Sequence, residues 1–65
     1  MSYNIQSYDG HTFDEDIEVQ LFMEAVANSG YTLQRDQSSY EKRVYANAKE
    51  KIVLDVPART VNIFV

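Results

Sequence analysis

The residues that could carry out chemistry in this sequence are few and lie far apart. His11 is the single histidine and there is no cysteine, so neither a Cys–His nucleophile pair nor a cysteine-based metal site can form. Ser38 and Ser39 have no histidine or lysine beside them in the sequence that would serve as a base. Two glycines, Gly10 and Gly30, are too few for a phosphate-binding glycine loop. The sequence therefore predicts a protein that is not an enzyme and that holds no cofactor.

Acidic residues are the clearest chemical feature because they collect in the first half of the chain. Residues 1–30 contain six acids and no lysine or arginine, whereas residues 31–65 contain four acids and all six bases. The halves therefore carry −6 and +2, which sum to the net charge of −4. A surface of this kind is attracted to a larger protein with a basic groove, including a groove that handles nucleic acid. The residues predicted to bind this partner are Asp9, Asp14, Glu15, Asp16, Glu18 and Glu24.

The same acids allow two other interpretations. The two halves can neutralise each other in the fold. Carboxylates also bind hard cations such as calcium, but Asp14–Glu18 lacks the spacing and the glycine of a calcium-binding loop. Helix N-termini collect acids for electrostatic reasons, so the cluster is explained without a metal and no metal site is predicted.

The stretch SYEKRVYANAKEK, Ser39–Lys51, alternates bases and tyrosines within an acidic chain. The simplest interpretation is that its polar residues form the solvent-exposed face of a strand in an antiparallel hairpin. The alternative is a nucleic-acid interface, in which Arg43 supplies charge and Tyr45 a stacking ring. Affinity for nucleic acid comes mainly from neutralised phosphates, so a net charge of −4 disfavours this alternative. The candidate nucleic-acid-binding residues are Arg35, Lys42, Arg43, Tyr45 and Lys49.

One helix is predicted to position the acids, over Asp14–Ser29. Thr12 and Glu15 have the spacing of a capping box at its start, and Gly30 suits the left-handed position that ends a helix, after which Tyr31 can pack back on the last turns. Leucine, phenylalanine, valine, alanine and methionine form one apolar arc on a helical wheel, so the helix is amphipathic and lays one face on a core. The arc comprises Val19, Leu21, Phe22, Met23, Ala25 and Val26.

Strands are predicted on both sides of this helix. YNIQSY alternates weakly and predicts a short first strand, and after Gly30 the period changes to two through YTLQR, SYEKRVYAN, KIVLDV and TVNIFV. The order β-α-β-β-β-β predicts a single α+β domain over residues 1–65, with one helix on a small antiparallel sheet. The predicted core consists of Ile5, Leu21, Phe22, Ala25, Val26, Leu33, Val44, Ile52, Leu54, Ile63 and Phe64.

The terminal strand TVNIFV predicts self-association. Val61, Ile63 and Val65 alternate with Asn62 and Phe64, so both faces of the strand carry apolar groups. At a sheet edge its free backbone groups would be a template for a second copy, and none of its six residues is a lysine or proline that would blunt the edge. A homodimer through this strand or the face beside it is therefore predicted, with a monomer as the alternative.

The location predicted from the sequence is the cytoplasm. No apolar run approaches the roughly 20 residues needed to cross a bilayer. The N-terminal MSYNIQSYDG lacks the basic start and apolar core of a signal peptide. No membrane partner is expected.

Two resemblances to known proteins rest on these features. GYTLQRDQSSY and IVLDVP resemble the core of the HicA-type toxins, which have a double-stranded-RNA-binding-like fold; the matching residues are Gly30, Tyr31, Arg35, Ser38, Ser39, Val56 and Pro57. Tyr40 stands where that family has a histidine, and TVNIFV where it has a helix, so the resemblance implies a nucleic-acid-binding or regulatory module without RNA cleavage. In size and charge the chain resembles phage-encoded inhibitors of host defence, anti-CRISPR proteins among them. That resemblance implies a non-enzymatic inhibitor acting in the host cytoplasm.

Overall fold

One helix and a four-stranded antiparallel sheet form the protein, as seen in a computed structural model that describes residues 4–65. The predicted α+β class is therefore confirmed. A 3₁₀-helix, η1 (Ile5–Tyr8), is followed by the helix α1 (Asp16–Asn28). The strands β1 (Thr32–Leu33), β2 (Lys42–Ala46), β3 (Lys51–Asp55) and β4 (Thr60–Phe64) are adjacent in that order across the sheet.

The first strand predicted from YNIQSY is wrong, because its described residues form η1 instead. Ser7 closes this turn locally: its backbone N–H and its hydroxyl both donate to the carbonyl of Asn4, at 3.3 and 2.7 Å. Serine side chains that bond to nearby backbone compete in this way with extended structure. The start of the predicted strand, Tyr3, lies outside the described residues.

The helix prediction is confirmed to within two residues at each end, but the predicted capping box is wrong. Glu15 occupies the N-cap and its side chain makes no capping hydrogen bond. Thr12 instead forms an isolated antiparallel bridge with Thr60 at the start of β4. This bridge holds Thr12 in extended backbone, three residues before the N-cap position, so its hydroxyl does not cap α1.

The C-terminal end of α1 is as predicted. Gly30 has a positive φ of +90°, a conformation that costs glycine little. The N–H of Tyr31 then donates to the carbonyl of Val26 at 3.4 Å, and both side chains are buried in the core. Gly30 therefore ends the helix and turns the chain into β1.

The core lies between α1 and one face of the sheet. The helix contributes Val19, Phe22 and Val26, which recur at helical spacing and are almost fully buried. The residues that the sequence correctly predicts to be buried are Ile5, Phe22, Val26, Val44, Ile52 and Leu54, and all of them except Val44 belong to this core. Half-buried at its margin are Ala25, Leu33 and Ile63. The buried residues absent from the predicted core are Phe13, Val19, Tyr31 and Val61.

Two residues assigned to the core are largely exposed, so those predictions are wrong. Leu21 is 54% exposed because it lies on the helix surface turned away from the sheet. Phe64 pairs with Lys51 on the sheet face opposite the helix, and it is 56% exposed because no helix covers that face.

The strand register also corrects the prediction that the polar face of β2, with Arg43, points to solvent. Arg43 pairs with Leu54, and Tyr45 pairs with Ile52. Residues that pair directly point to the same face of a sheet, so Arg43 and Tyr45 lie on the face that α1 packs against. Val44 is buried on the other face.

β4 lies at a sheet edge, as the predicted dimer requires, but its outward backbone groups are already bonded. Gly10 N–H donates to the Val61 carbonyl at 2.7 Å, and Val61 N–H donates to the His11 carbonyl at 2.9 Å. A carboxylate oxygen of Asp9 accepts the Ile63 N–H at 2.9 Å. Residues 9–13 therefore cover the edge that a second copy would pair with. The homodimer stays a prediction, and it now depends on the exposed Phe64.

Candidate protein-binding surface

Two large apolar side chains lie exposed on the outward side of α1. Ile17 and Leu21 are 57% and 54% exposed, respectively, and stand one helical turn apart. Phe22 and Val26 lie on the opposite side of the helix and pack on the sheet. A single exposed apolar side chain is ordinary, but Ile17 and Leu21 together form a small apolar patch that water solvates poorly.

A concavity of about 320 Å³ adjoins this patch and is lined by Tyr8, His11, Phe13, Glu18 and Leu21. Aromatic packing shapes it: the Tyr8 and Phe13 rings stack with centroids 5.7 Å apart. The His11 ring meets Phe13 edge-on at 4.7 Å. Offset and edge-to-face arrangements are the favourable geometries for aromatic pairs, so the walls of the concavity are held in place. Ile17, Leu21 and this concavity are called the α1 patch below.

Acids lie at the end of the α1 patch where the helix begins. Asp14 and Glu15 are exposed directly before the helix, and Glu18 lines the concavity. Glu24 is exposed on α1 but lines a different concavity, with Met23 and Tyr45. Three of the six predicted acids therefore lie near the exposed apolar side chains, and only Glu18 shares a concavity with one of them, Leu21.

Asp9 and Asp16, the remaining predicted acids, have structural contacts elsewhere. Asp9 accepts the backbone N–H of Ile63, as described above. Asp16 lies on the flank of α1 toward β2, where its carboxylate is 3.4 Å from the Arg59 guanidinium. The Asp16 side chain is largely exposed, so this ion pair contributes little to stability.

Arg59 is a structural residue that the sequence does not reveal. Its Nε donates to the carbonyl of Phe13 at 3.1 Å, and its own carbonyl accepts the Phe13 N–H at 2.8 Å. Its φ of +57° is unusual for a residue with a side chain. Arg59 therefore ties the β3–β4 turn to the segment that leads into α1 and fixes where the acids stand.

The candidate nucleic-acid-binding residues do not form one surface. Lys42 lies on the sheet face away from α1, and Lys49 lies in the turn between β2 and β3. Tyr45 packs against the core, and its burial raises the pKa of its hydroxyl. The half-buried ring lines a concavity beside Met23 and Glu24 of α1, so an acid stands next to it where a nucleic-acid interface needs bases. Arg35 and Arg43 line one small concavity together, and Arg43 also lines a larger one.

A larger concavity of about 500 Å³ lies between α1 and the start of β2. Its lining includes the Asp16–Arg59 ion pair, and Glu41 and Arg43 add one charge of each sign. Its lining therefore has no net charge that would select a partner, in contrast to the acidic α1 patch.

No protein-family model matches the chain, and no curated protein or solved structure is significantly similar to it. The resemblances to HicA-type toxins and to phage-encoded inhibitors therefore stay predictions. In the described part of the chain, residues 4–65, no three acidic or histidine side chains are arranged to hold a metal ion. No helix among these residues is long and apolar enough to cross a bilayer.

Proposed function

We propose that this chain is a small non-enzymatic binding protein that docks its α1 patch on a larger protein with a basic surface and thereby inhibits it. The observation that carries the proposal is the pair of exposed apolar side chains, Ile17 and Leu21, bordered by Asp14, Glu15 and Glu18. Apolar contacts at the centre with charged groups at the rim are the usual arrangement of a protein interface.

The two parts of the surface have different roles. Full burial of a leucine or isoleucine side chain is worth roughly 1.5–3 kcal/mol, so covering the exposed half of Ile17 and Leu21 contributes about 1 kcal/mol each. The carboxylates raise the association rate toward a basic surface and disfavour acidic partners. The apolar pair therefore sets how long the complex lasts, and the acids select its partner.

A nucleic-acid-handling protein of a host defence system is the kind of partner that fits these charges. Its basic groove normally holds phosphates, and exposed carboxylates on a small rigid domain present negative charge to the same groups. Occupying that groove would exclude the nucleic acid and so inhibit the partner, as the resemblance to anti-CRISPR proteins implies.

The proposal is tested by capturing partners from a bacterial lysate on the immobilised chain, with identification by mass spectrometry. Three forms are compared: the parent, Asp14→Asn with Glu18→Gln, and a control with the same charge change at two exposed acids outside the α1 patch, Asp36→Asn with Glu41→Gln. We expect a basic protein to be retained by the parent and the control and released from the α1 variant at lower salt.

Two results would overturn the proposal. One is a captured protein that is retained equally by the α1 variant and the control. The other is a low-salt gel shift of DNA or RNA by the parent chain with no protein captured, which would favour the nucleic-acid-binding alternative.

A further inference from the structure

Two arginines line one small concavity at the β1–β2 edge of the sheet. The concavity has a volume of about 290 Å³, and its lining residues are Leu33, Arg35, Ser38, Ser39 and Arg43. Within residues 4–65, no carboxylate oxygen lies within 4.0 Å of a guanidinium nitrogen of Arg35 or Arg43. Neither guanidinium group therefore forms a salt bridge in this part of the chain, although Arg43 also lines the larger concavity with Asp16 and Glu41.

The backbone places these arginines side by side. The N–H of Gln34 donates to the Val44 carbonyl at 2.7 Å, which continues the β1–β2 pairing by one residue. Arg35 follows Gln34 and Arg43 precedes Val44, so the two side chains enter the same space. The Val44 N–H donates to the Ser38 hydroxyl oxygen at 2.9 Å, which holds the returning loop against β2.

Ser39 completes the rim of the concavity. Its backbone N–H donates to the Lys42 carbonyl at 2.7 Å, and the Lys42 N–H donates back to the Ser39 carbonyl at 3.3 Å. The hydroxyl of Ser39 makes no hydrogen bond within residues 4–65 and is exposed. The turn thus places a serine hydroxyl at the concavity that the two arginines line.

Like charges that line one concavity repel each other, and a bound anion removes this repulsion. A guanidinium donates two parallel hydrogen bonds to a phosphate or carboxylate, and a doubly charged phosphate monoester matches two such groups. We infer that the concavity of Arg35, Ser39 and Arg43 binds a single phosphate monoester, with the serine hydroxyl donating a third contact.

Nucleic acid is the less suitable source of this phosphate. Its affinity depends on several neutralised phosphates along a track of bases, and each of its internal phosphates carries one negative charge. Lys42 lies on the opposite sheet face from Arg43, so no such track continues from the concavity in that direction. The site therefore selects an isolated, doubly charged phosphate.

The inference is tested by titrating the ¹⁵N-labelled chain with inorganic phosphate, O-phosphoserine, dimethyl phosphate or a ten-nucleotide oligothymidine at constant ionic strength. We expect inorganic phosphate and O-phosphoserine to shift the amide signals of residues 35–43 saturably at millimolar concentration. The diester, dimethyl phosphate, should bind at least tenfold more weakly than O-phosphoserine. The affinity of the oligonucleotide should likewise be lower than that of O-phosphoserine.

Matched variants separate the site from general charge. Arg35→Gln with Arg43→Gln should weaken O-phosphoserine binding at least tenfold, whereas Lys49→Gln with Lys51→Gln, the same charge change, should weaken it less than twofold. Circular dichroism checks that both double variants fold. If the arginine double variant does not fold, Arg35→Gln alone replaces it, because Arg35 is an exposed loop residue. An equal loss in both double variants, no saturable shift in the parent, or tighter binding of the oligonucleotide would overturn the inference. None of these ligands tests the α1 patch, so the two proposals fail independently.

Discussion

Two consecutive residues of α1, one buried and one exposed, give the sharpest test of how the helix packs. Phe22 is 1% exposed, and its ring centroid lies 5.2 Å from that of Tyr8 and 5.4 Å from that of Phe13. Leu21, the residue before it, is 54% exposed. Phe22→Ala should therefore come close to unfolding the domain, while Leu21→Ala should leave it folded.

The expected magnitudes follow from burial and size. A buried phenylalanine truncated to alanine costs about 3–5 kcal/mol, because the lost contacts leave a cavity. A domain of 65 residues has a total stability of about 3–10 kcal/mol at the usual ~0.05–0.15 kcal/mol per residue. Truncating the half-exposed Leu21 removes less burial and gains helix propensity, so its cost should stay below about 1 kcal/mol.

Urea unfolding followed by circular dichroism measures both variants on one scale. With a slope of about 1 kcal/mol per molar urea for a chain this small, Phe22→Ala should lower the midpoint by about 3 M or abolish the transition. Leu21→Ala should lower it by less than about 1 M. Similar midpoints for the two variants, or a larger loss for Leu21→Ala, would show that the assignment of the buried helix face is wrong.

Three further predictions follow from other contacts. The Tyr31 hydroxyl donates to a Glu50 carboxylate oxygen at 2.7 Å, and this hydrogen bond, burial and the Glu50 charge raise the pKa of Tyr31 above 10.0. The stabilisation from this hydrogen bond is therefore complete below pH 10 and is lost as pH rises through the raised pKa of Tyr31. Tyr31→Phe should cost about 1–2 kcal/mol of unfolding free energy at pH 7 and make stability depend less on pH in the alkaline range. An unchanged alkaline unfolding profile would contradict this. Asp14→Asn with Glu18→Gln should slow association with the captured partner and reduce its salt dependence, and an identical slope in a salt series would exclude these acids. Phe64→Lys should convert the predicted homodimer to a monomer in light scattering, whereas a mass near 7.5 kDa for the parent at high micromolar concentration would exclude the dimer.

Much of the fold could be predicted from local pattern. The apolar arc and Gly30 define the helix because both depend on residues close in sequence. The change to period two after Gly30 likewise indicates the four strands. These features require no knowledge of which elements meet, and they are the parts of the prediction that the structure confirms.

The failures concern contacts between distant residues. The pairing of Thr12 with Thr60 removes the capping box, and these residues are 48 positions apart. Alternation along β2 separates Arg43 and Tyr45 correctly from Val44, but only the register with β3 shows which side meets the helix. A local pattern does not contain that information.

The candidate surface was predicted in part. The run of charge indicates the acids, but the sequence predicts Leu21 in the core and gives no role to Ile17. A helical wheel places Leu21 at the margin of the apolar arc, and only the position of the sheet decides whether that margin is covered. The apolar half of the proposed interface therefore came from the structure.

Hydrogen exchange of the complex with the captured partner tests the proposed function most directly, because it shows which face the partner covers. We expect that binding slows exchange of backbone amides in residues 8–24, which contain the α1 patch, and leaves exchange in β2 and β3 unchanged. The control is the double variant Ile17→Ser with Leu21→Ser, mixed with the partner at the same protein concentrations. This variant should show no partner-induced slowing of amide exchange. Slower exchange confined to β2 and β3, with residues 8–24 unaffected, would show that the partner does not bind the α1 patch.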